Sequence, residues 1–251
     1  MKTDVYIGLD FETTGLDPLN DGIIEIGAVK FTETGEILDE FQKLTNPGKT
    51  IPRAARRIHG IKDRDLVGQL SPGEVWELLI EWAGDYTAFV AHNAAFEINF
   101  LRNLYKNQPR IPNYMFIDTL DLSKRRLKGC NSYKLDDLVP DIAGRHRALD
   151  DAIACSALFL KISLTYKSGK IPKKTSIQPM SSFRTLDNSP TEKQKDYIRD
   201  LGGNPNRPTT KQEASKYIDK LKSKRDKKGG SFKRSVLILI VLGVLIWVFL
   251  L

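Results

Sequence analysis

Val5-Tyr6-Ile7-Gly8-Leu9-Asp10-Phe11-Glu12-Thr13-Thr14-Gly15-Leu16 decides how the rest of the chain reads. Val5 to Leu9 is short, apolar and β-branched-rich, which predicts a buried strand. Asp10 and Glu12 stand at its end, two residues apart, and residues at that spacing on a strand share a face. Two carboxylates side by side repel, and each raises the other's pKa. A cation between them removes that cost. Hard divalent ions such as Mg²⁺ take oxygen ligands and keep positions open for water and phosphate. The glycine turn that follows at Gly15 lets a ligand approach the backbone. On these residues alone, a solvated strand end with two acids by chance is the alternative.

The chain has 251 residues, enough for one good-sized domain with appendages. Its net charge of +8 is unevenly placed. Residues 1–166 carry 20 basic and 24 acidic side chains, and residues 167–251 carry 19 and 7. The basic character belongs to the tail. An acidic main domain is no ordinary nucleic-acid surface, but a carboxylate site that recruits cations looks like this before metal binds. The two cysteines, Cys130 and Cys155, make neither a disulfide framework nor a zinc-ligand spacing. They read as reduced thiols in a cytosolic compartment. The first residues, Met1 to Asp4, lack the apolar core of a secretion signal.

Further along, Ile23–Phe31 and Ile37–Leu44 read as strands joined by a hairpin at Glu33–Glu36. Ile51–Leu70 reads as two short helical turns around His59-Gly60. Apolar spacing predicts helices over Glu74–Ala83, over 93–106 with Asn93 as N-cap, and from Ala148 to about Tyr166. Short strands are expected at Thr87–Ala91 and Tyr114–Leu120, and a short helix at Asn131–Leu138. This order indicates an α/β domain over residues 1–166, with a mixed sheet flanked by helices and a meander in its first three strands.

Residues 167–190 are rich in Lys, Ser, Thr and Pro and read as a linker. Residues 191–222 read as a small helical hairpin, too short for a large core of its own. A basic segment over 223–234 precedes an unbroken apolar run from Val236 to Leu251. As a helix that run reaches ~24 Å at ~1.5 Å per residue, slightly short of the usual span of ~17–25 residues. With no polar face, it reads, from Ser235 onward, as a single C-terminal transmembrane anchor, with the preceding chain on the cytoplasmic side. A buried or oligomerising helix is the alternative.

Three more blocks accompany Asp10 and Glu12. They are Ala91-His92-Asn93-Ala94-Ala95-Phe96-Glu97, Ser132-Tyr133-Lys134-Leu135-Asp136-Asp137-Leu138, and His146-Arg147-Ala148-Leu149-Asp150-Asp151-Ala152. In this order and spacing the chain over about residues 4–166 closely resembles the DEDDh (DnaQ-like) 3′–5′ exonuclease family, which includes the epsilon proofreading subunit of DNA polymerase III. The resemblance implies a ribonuclease-H-like fold and two Mg²⁺ or Mn²⁺ ions. It places metal ligands at Asp10, Glu12, Glu97 and Asp151, and the general base at His146. At Glu97 the sequence departs from the family, which usually has Asp there. Glu keeps the charge and adds one methylene, roughly 1.5 Å of reach.

Thr13, Leu16, His92, Asn93 and Phe96 are candidates to seat the terminal nucleotide, with Leu16 and Phe96 packing on bases. Phe96 fits a core position equally well. The expected partners are the 3′ end of single-stranded DNA or RNA, a membrane through the C-terminal helix, and anionic lipid or nucleic acid at the basic segment. The rival reading is a catalytically weakened nucleic-acid-binding or membrane adaptor protein on the same fold.

Overall fold

The structure, a computed structural model, describes residues 4–142, 146–169, 171, 177–183, 192–208 and 213–224. The chain divides into two compact units, Met1–Leu186 and Asp187–Leu251.

In the first unit, β1 (Val5–Thr13), β2 (Ile23–Thr32) and β3 (Ile37–Leu44) form the expected antiparallel meander. Helix α1 (Arg53–His59) and a 3₁₀ turn (Asp63–Leu66) follow, then α2 (Pro72–Ala83), capped by Ser71 and Glu74. Next come β4 (Ala88–Ala91), α3 (Ala95–Leu104), β5 (Met115–Asp118), α4 (Thr119–Arg126), α5 (Leu135–Leu138) and α6 (Ala148–Ser163). The sheet order is β3-β2-β1-β4-β5-β6, where β6 is Gln178–Pro179 and β4 is parallel to both β1 and β5.

Strand alternation divides β1 cleanly. Ile7, Leu9 and Phe11 enter the core formed with Trp76 and Leu79 of α2 and Ile98 and Leu101 of α3. Tyr6, Gly8, Asp10 and Glu12 take the opposite face, where Tyr6 packs with Leu158, Phe159 and Ile162 of α6. Helix α6 lies unusually close to this face. A Cβ on Gly27 would collide with the backbone of Ala148 and Leu149, and one on Gly8 with Ser156 and the Ala152 carbonyl. The glycines therefore let the start of α6 settle onto β1 and β2, beside the two carboxylates.

Three local expectations are corrected. Residues 177–183, inside the stretch read as a linker, return to the sheet. β6 (Gln178–Pro179) pairs with β5, Met180 is buried, and Arg102 donates to the carbonyls of Met180 and Phe183. The strand read over Tyr114–Leu120 stops at Asp118, whose side chain accepts from the amides of Leu120 and Asp121 and starts α4. The helix read over Asn131–Leu138 spans only Leu135–Leu138, because the Ser132 hydroxyl accepts from the Lys134 amide and holds a turn before it.

In the second unit, α7 (Glu192–Asp200) and α8 (residues 213–224) close on Ile198, Ala214 and Ile218. No helix among the described residues is long and apolar enough to cross a membrane. The expected anchor over 235–251, and the basic segment from residue 225 on, lie outside the described residues.

Candidate active site

The four acids reach the site from three elements. Asp10 and Glu12 project from one face of β1, and Asp151 from the first turn of α6. Carboxylate oxygens of these three lie within 4.8 Å of one another. Glu97, in the first turn of α3, is 2% exposed and does not join that close trio. It is nonetheless the largest neighbouring charge acting on Asp10, and its Oε2 is buried with no hydrogen-bond partner among the described residues.

The electrostatics favour a bound cation. Burial first, and then Glu97, Asp151 and Glu12, hold the Asp10 carboxyl well above the usual carboxylate range. Burial, with Asp151 and Glu25 adding, pushes Glu12 up to about 8. Burial likewise pushes Glu97 up to about 8, with Asp118 adding. Four acids gathered in this way fit a pair of hard divalent ions: all donors are oxygen, and one buried oxygen still needs a partner.

His146 and Arg147 lead directly into α6. His146 is half-buried and takes a left-handed backbone, with φ 48°. Arg147 holds this corner in place. Its Nε donates to Glu25 Oε2 at 3.0 Å and its Nη2 to Glu25 Oε1 at 2.5 Å. The Ala148 amide donates to the same Oε2 at 3.1 Å, and Gln42 Nε2 to Oε1 at 2.9 Å. Glu25 is 0% exposed and fully satisfied. Its sequence signal was a lone acid in an otherwise apolar strand, and its role emerges only from the register that sets it opposite Glu12.

His59 is a second residue that sequence reading missed. It is buried, its Nδ1 accepts from the Ile61 amide, and burial lowers its pKa. With Arg147 and Leu44 it lines a cleft of about 480 Å³. The adjacent His-Gly pair was visible as a turn, but nothing local tied it to the acids.

The candidate nucleotide-seating residues divide. Leu16 is 77% exposed at the end of a rigid loop. Thr13 Oγ1 donates to the Gly15 carbonyl, and Asp21 and Asp17 accept from the amides of Asp17 and Leu19. So the loop, and Thr13 within it, fixes an apolar side chain facing solvent. Asn93 is exposed but is not the N-cap of α3. It has φ 69°, and its amide donates to Asp118 Oδ1 at 3.1 Å, while Ala94 stands at the N-cap with no side-chain cap bond. His92 is not free for a ligand, since its ring nitrogens meet Thr119 Oγ1 at 3.0 Å and the Tyr133 carbonyl at 2.9 Å. Phe96 is half-buried, stacks on Phe100 at 5.0 Å and leans on the core.

This arrangement matches known proteins. Residues 7–159 match the RNase_T family model, described as an exonuclease. A PolC-type DNA polymerase III from Thermotoga petrophila is 40% identical over 180 residues, 69% of this chain and 13% of that protein. That of Bacillus cereus is 32% identical over 167 residues, 64% of this chain and 12% of that protein. The chain thus spans a small part of the length of these relatives. Exonuclease X, solved with 5′-overhanging duplex DNA, superposes with a TM-score of 0.53 at 26% identity, covering 68% of this chain and 96% of that one. The nuclease domain of 3′hExo, a DEDDh member bound to rAMP, has the same fold, with a TM-score of 0.56 at 19% identity over 64% of this chain and 92% of that one. The chain belongs to the RNase_T exonuclease family, among the DnaQ-like 3′–5′ exonucleases, on a ribonuclease-H-like α/β fold.

Proposed function

We propose that this chain removes nucleotides from the 3′ end of single-stranded nucleic acid, DNA before RNA, while tethered to the cytoplasmic face of a membrane. The observation that carries the hydrolytic part is the meeting of Asp10, Glu12 and Asp151 within 4.8 Å, with Glu97 buried beside them. Asp10, Glu12, Glu97 and Asp151 are the residues to hold two Mg²⁺ or Mn²⁺ ions. Such ions, when bound, supply the positive charge that offsets charge developing on the phosphodiester oxygens. His146 accepts a proton from the attacking water at a ring nitrogen, the usual task of an imidazole in general-base catalysis. Arg147 and Glu25 keep the imidazole corner in place while it does so. Leu16 packs against the terminal base, and Thr13 stiffens the loop that presents it. The relation to polymerase III proteins favours DNA as substrate.

The membrane part rests on the apolar run from Val236 to Leu251 and the lysines and arginines before it. The test of both parts uses the full chain. Incubated with Mg²⁺ or Mn²⁺, it should shorten a 5′-labelled single strand stepwise from the 3′ end, faster for DNA than for RNA, and EDTA should stop it. Strand binding without shortening would favour the adaptor reading. On fractionation the full chain should require detergent for release, and the chain cut before Ser235 should be soluble with unchanged turnover. A full chain found in the soluble fraction overturns the tether.

A further inference from the structure

We propose that the helical hairpin of the second unit is a second binding site for single-stranded nucleic acid, one that grips the strand the catalytic unit shortens. The proposal rests on the substrate class given above. Among the described residues the hairpin buries few side chains: Ile198, Pro208, Ala214 and Ile218, with Leu201, Tyr217 and Leu221 partly covered. Gly203 has no room for a Cβ against Ile198 and Leu221, so the two helices close tightly on this small core. Almost everything else is surface, and that surface is basic. Over 194–208 and 213–224 there are 7 lysines and arginines against 4 acids.

The cations are placed in an ordered way. Lys216, Lys220 and Lys224 recur every fourth residue of α8, and all three are exposed. That spacing sets them in one stripe along the helix, at steps of ~6 Å. Such a step is comparable to the separation of successive phosphates on an extended strand. Two other cations of the hairpin lie over tyrosine rings, Tyr217 beside the stripe and Tyr197 on the opposite flank of α8. Arg207 lies over the Tyr217 ring at 5.3 Å, and Lys222 over Tyr197 at 5.2 Å. Tyr197 is 42% exposed. A base can replace Lys222 on the Tyr197 ring, which frees that ammonium for a phosphate. Cations for the backbone beside rings for the bases are the means by which sequence-tolerant proteins hold single strands. A membrane surface would use the lysines but has no need of the stacked tyrosines, so nucleic acid is the better fit.

The test is fluorescence anisotropy of the full chain in EDTA, where no digestion occurs, with a labelled oligothymidylate of about thirty nucleotides. Vesicles containing phosphatidylserine serve as the second arm. Lys216→Gln, Lys220→Gln and Lys224→Gln together remove three charges at exposed positions and spare the core. Affinity for the strand should fall on the order of 10-fold, and the slope of log K against log salt should become shallower by about 2. Tyr197→Ala should weaken binding with the salt slope unchanged. Turnover of a saturating tetranucleotide in Mg²⁺ should be the same in all variants. Unchanged strand affinity and salt slope in the triple variant overturn the proposal. So does weakened vesicle binding in the triple variant with its strand binding intact. A wild-type chain that binds the strand with this salt slope but digests nothing refutes the catalytic reading and supports the hairpin site.

Discussion

Glu12 and Glu25 are directly opposed on neighbouring strands, and they meet opposite fates. Like charges in that position repel. Glu25 has every oxygen answered, by Arg147, Gln42 and the Ala148 amide. Glu12 instead faces Asp10 and Asp151, and its pKa rises to about 8. The protein commits its nearby arginine to the acid that fastens β2 to the start of α6. It leaves the other acid to a cation from solution. A buried acid that is satisfied is scaffold, and one that is left unsatisfied marks the place where chemistry happens.

The strongest way to break this comparison is to neutralise one acid of each kind. Asp10→Asn should abolish turnover and raise the melting temperature in EDTA, because it relieves crowding among the acids. Full activity in this variant would remove the cluster from the mechanism. His146→Ala should slow turnover by ~10²–10⁴-fold with little change in KM, as expected for loss of a proton acceptor. An unchanged kcat at neutral pH would reduce His146 to a corner residue.

Glu25→Gln should do the reverse of Asp10→Asn in stability. Breaking a buried pair costs about 3–5 kcal/mol, and the low end applies because Arg147 is partly exposed and can turn to solvent. Urea unfolding checks this, and a variant as stable as wild type would show that Arg147 is not the fastening. Glu97 sharpens the contrast further. Glu97→Gln should weaken metal dependence and turnover, while Glu97→Asp should move the rate by roughly 10-fold in one direction or the other, since displacements of ~1 Å matter at this level. If both variants match wild type across a Mg²⁺ titration, Glu97 is no ligand, and Asp150 is the next acid to examine.

The last effect is on pH dependence. Glu12 moves from 4.5 to about 8 on folding, and Glu97 does the same. The folded chain therefore binds these protons more tightly than the unfolded one. Their contribution is complete below about pH 4.5 and is lost as pH climbs toward 8. Melting temperature in EDTA should fall across that window. Mg²⁺ should raise it most near pH 8, and Glu12→Gln should flatten the slope. A wild-type slope no steeper than that of Glu12→Gln would contradict the raised pKa of Glu12.

Much of this was legible in the chain because it is local. The meander follows from alternation, and the pair Asp10 and Glu12 from a two-residue period. What escaped depends on register or on distant partners. Asn93 is a capping residue by type, yet Asp118, 25 positions on, takes the amide. Helix α4 follows directly on β5, with too few apolar residues to show a helical period. β6 is two residues long and contains a proline, so only its pairing with β5 reveals it. The importance of Glu25 is invisible until β2 lies beside β1.

The two glycines beneath α6 act as a gauge of zero thickness. Asp151 and His146 ride on that helix and its leading corner, while Asp10 and Glu12 are fixed in the strand below, so the missing methyl groups at Gly8 and Gly27 set the gap between them. A single added carbon at Gly27 would lift the start of α6 and spread the acids apart with every one of them still present. Damage to this enzyme can therefore arise at a residue with no side chain to lose. Such a variant would fail by dimension and not by chemistry.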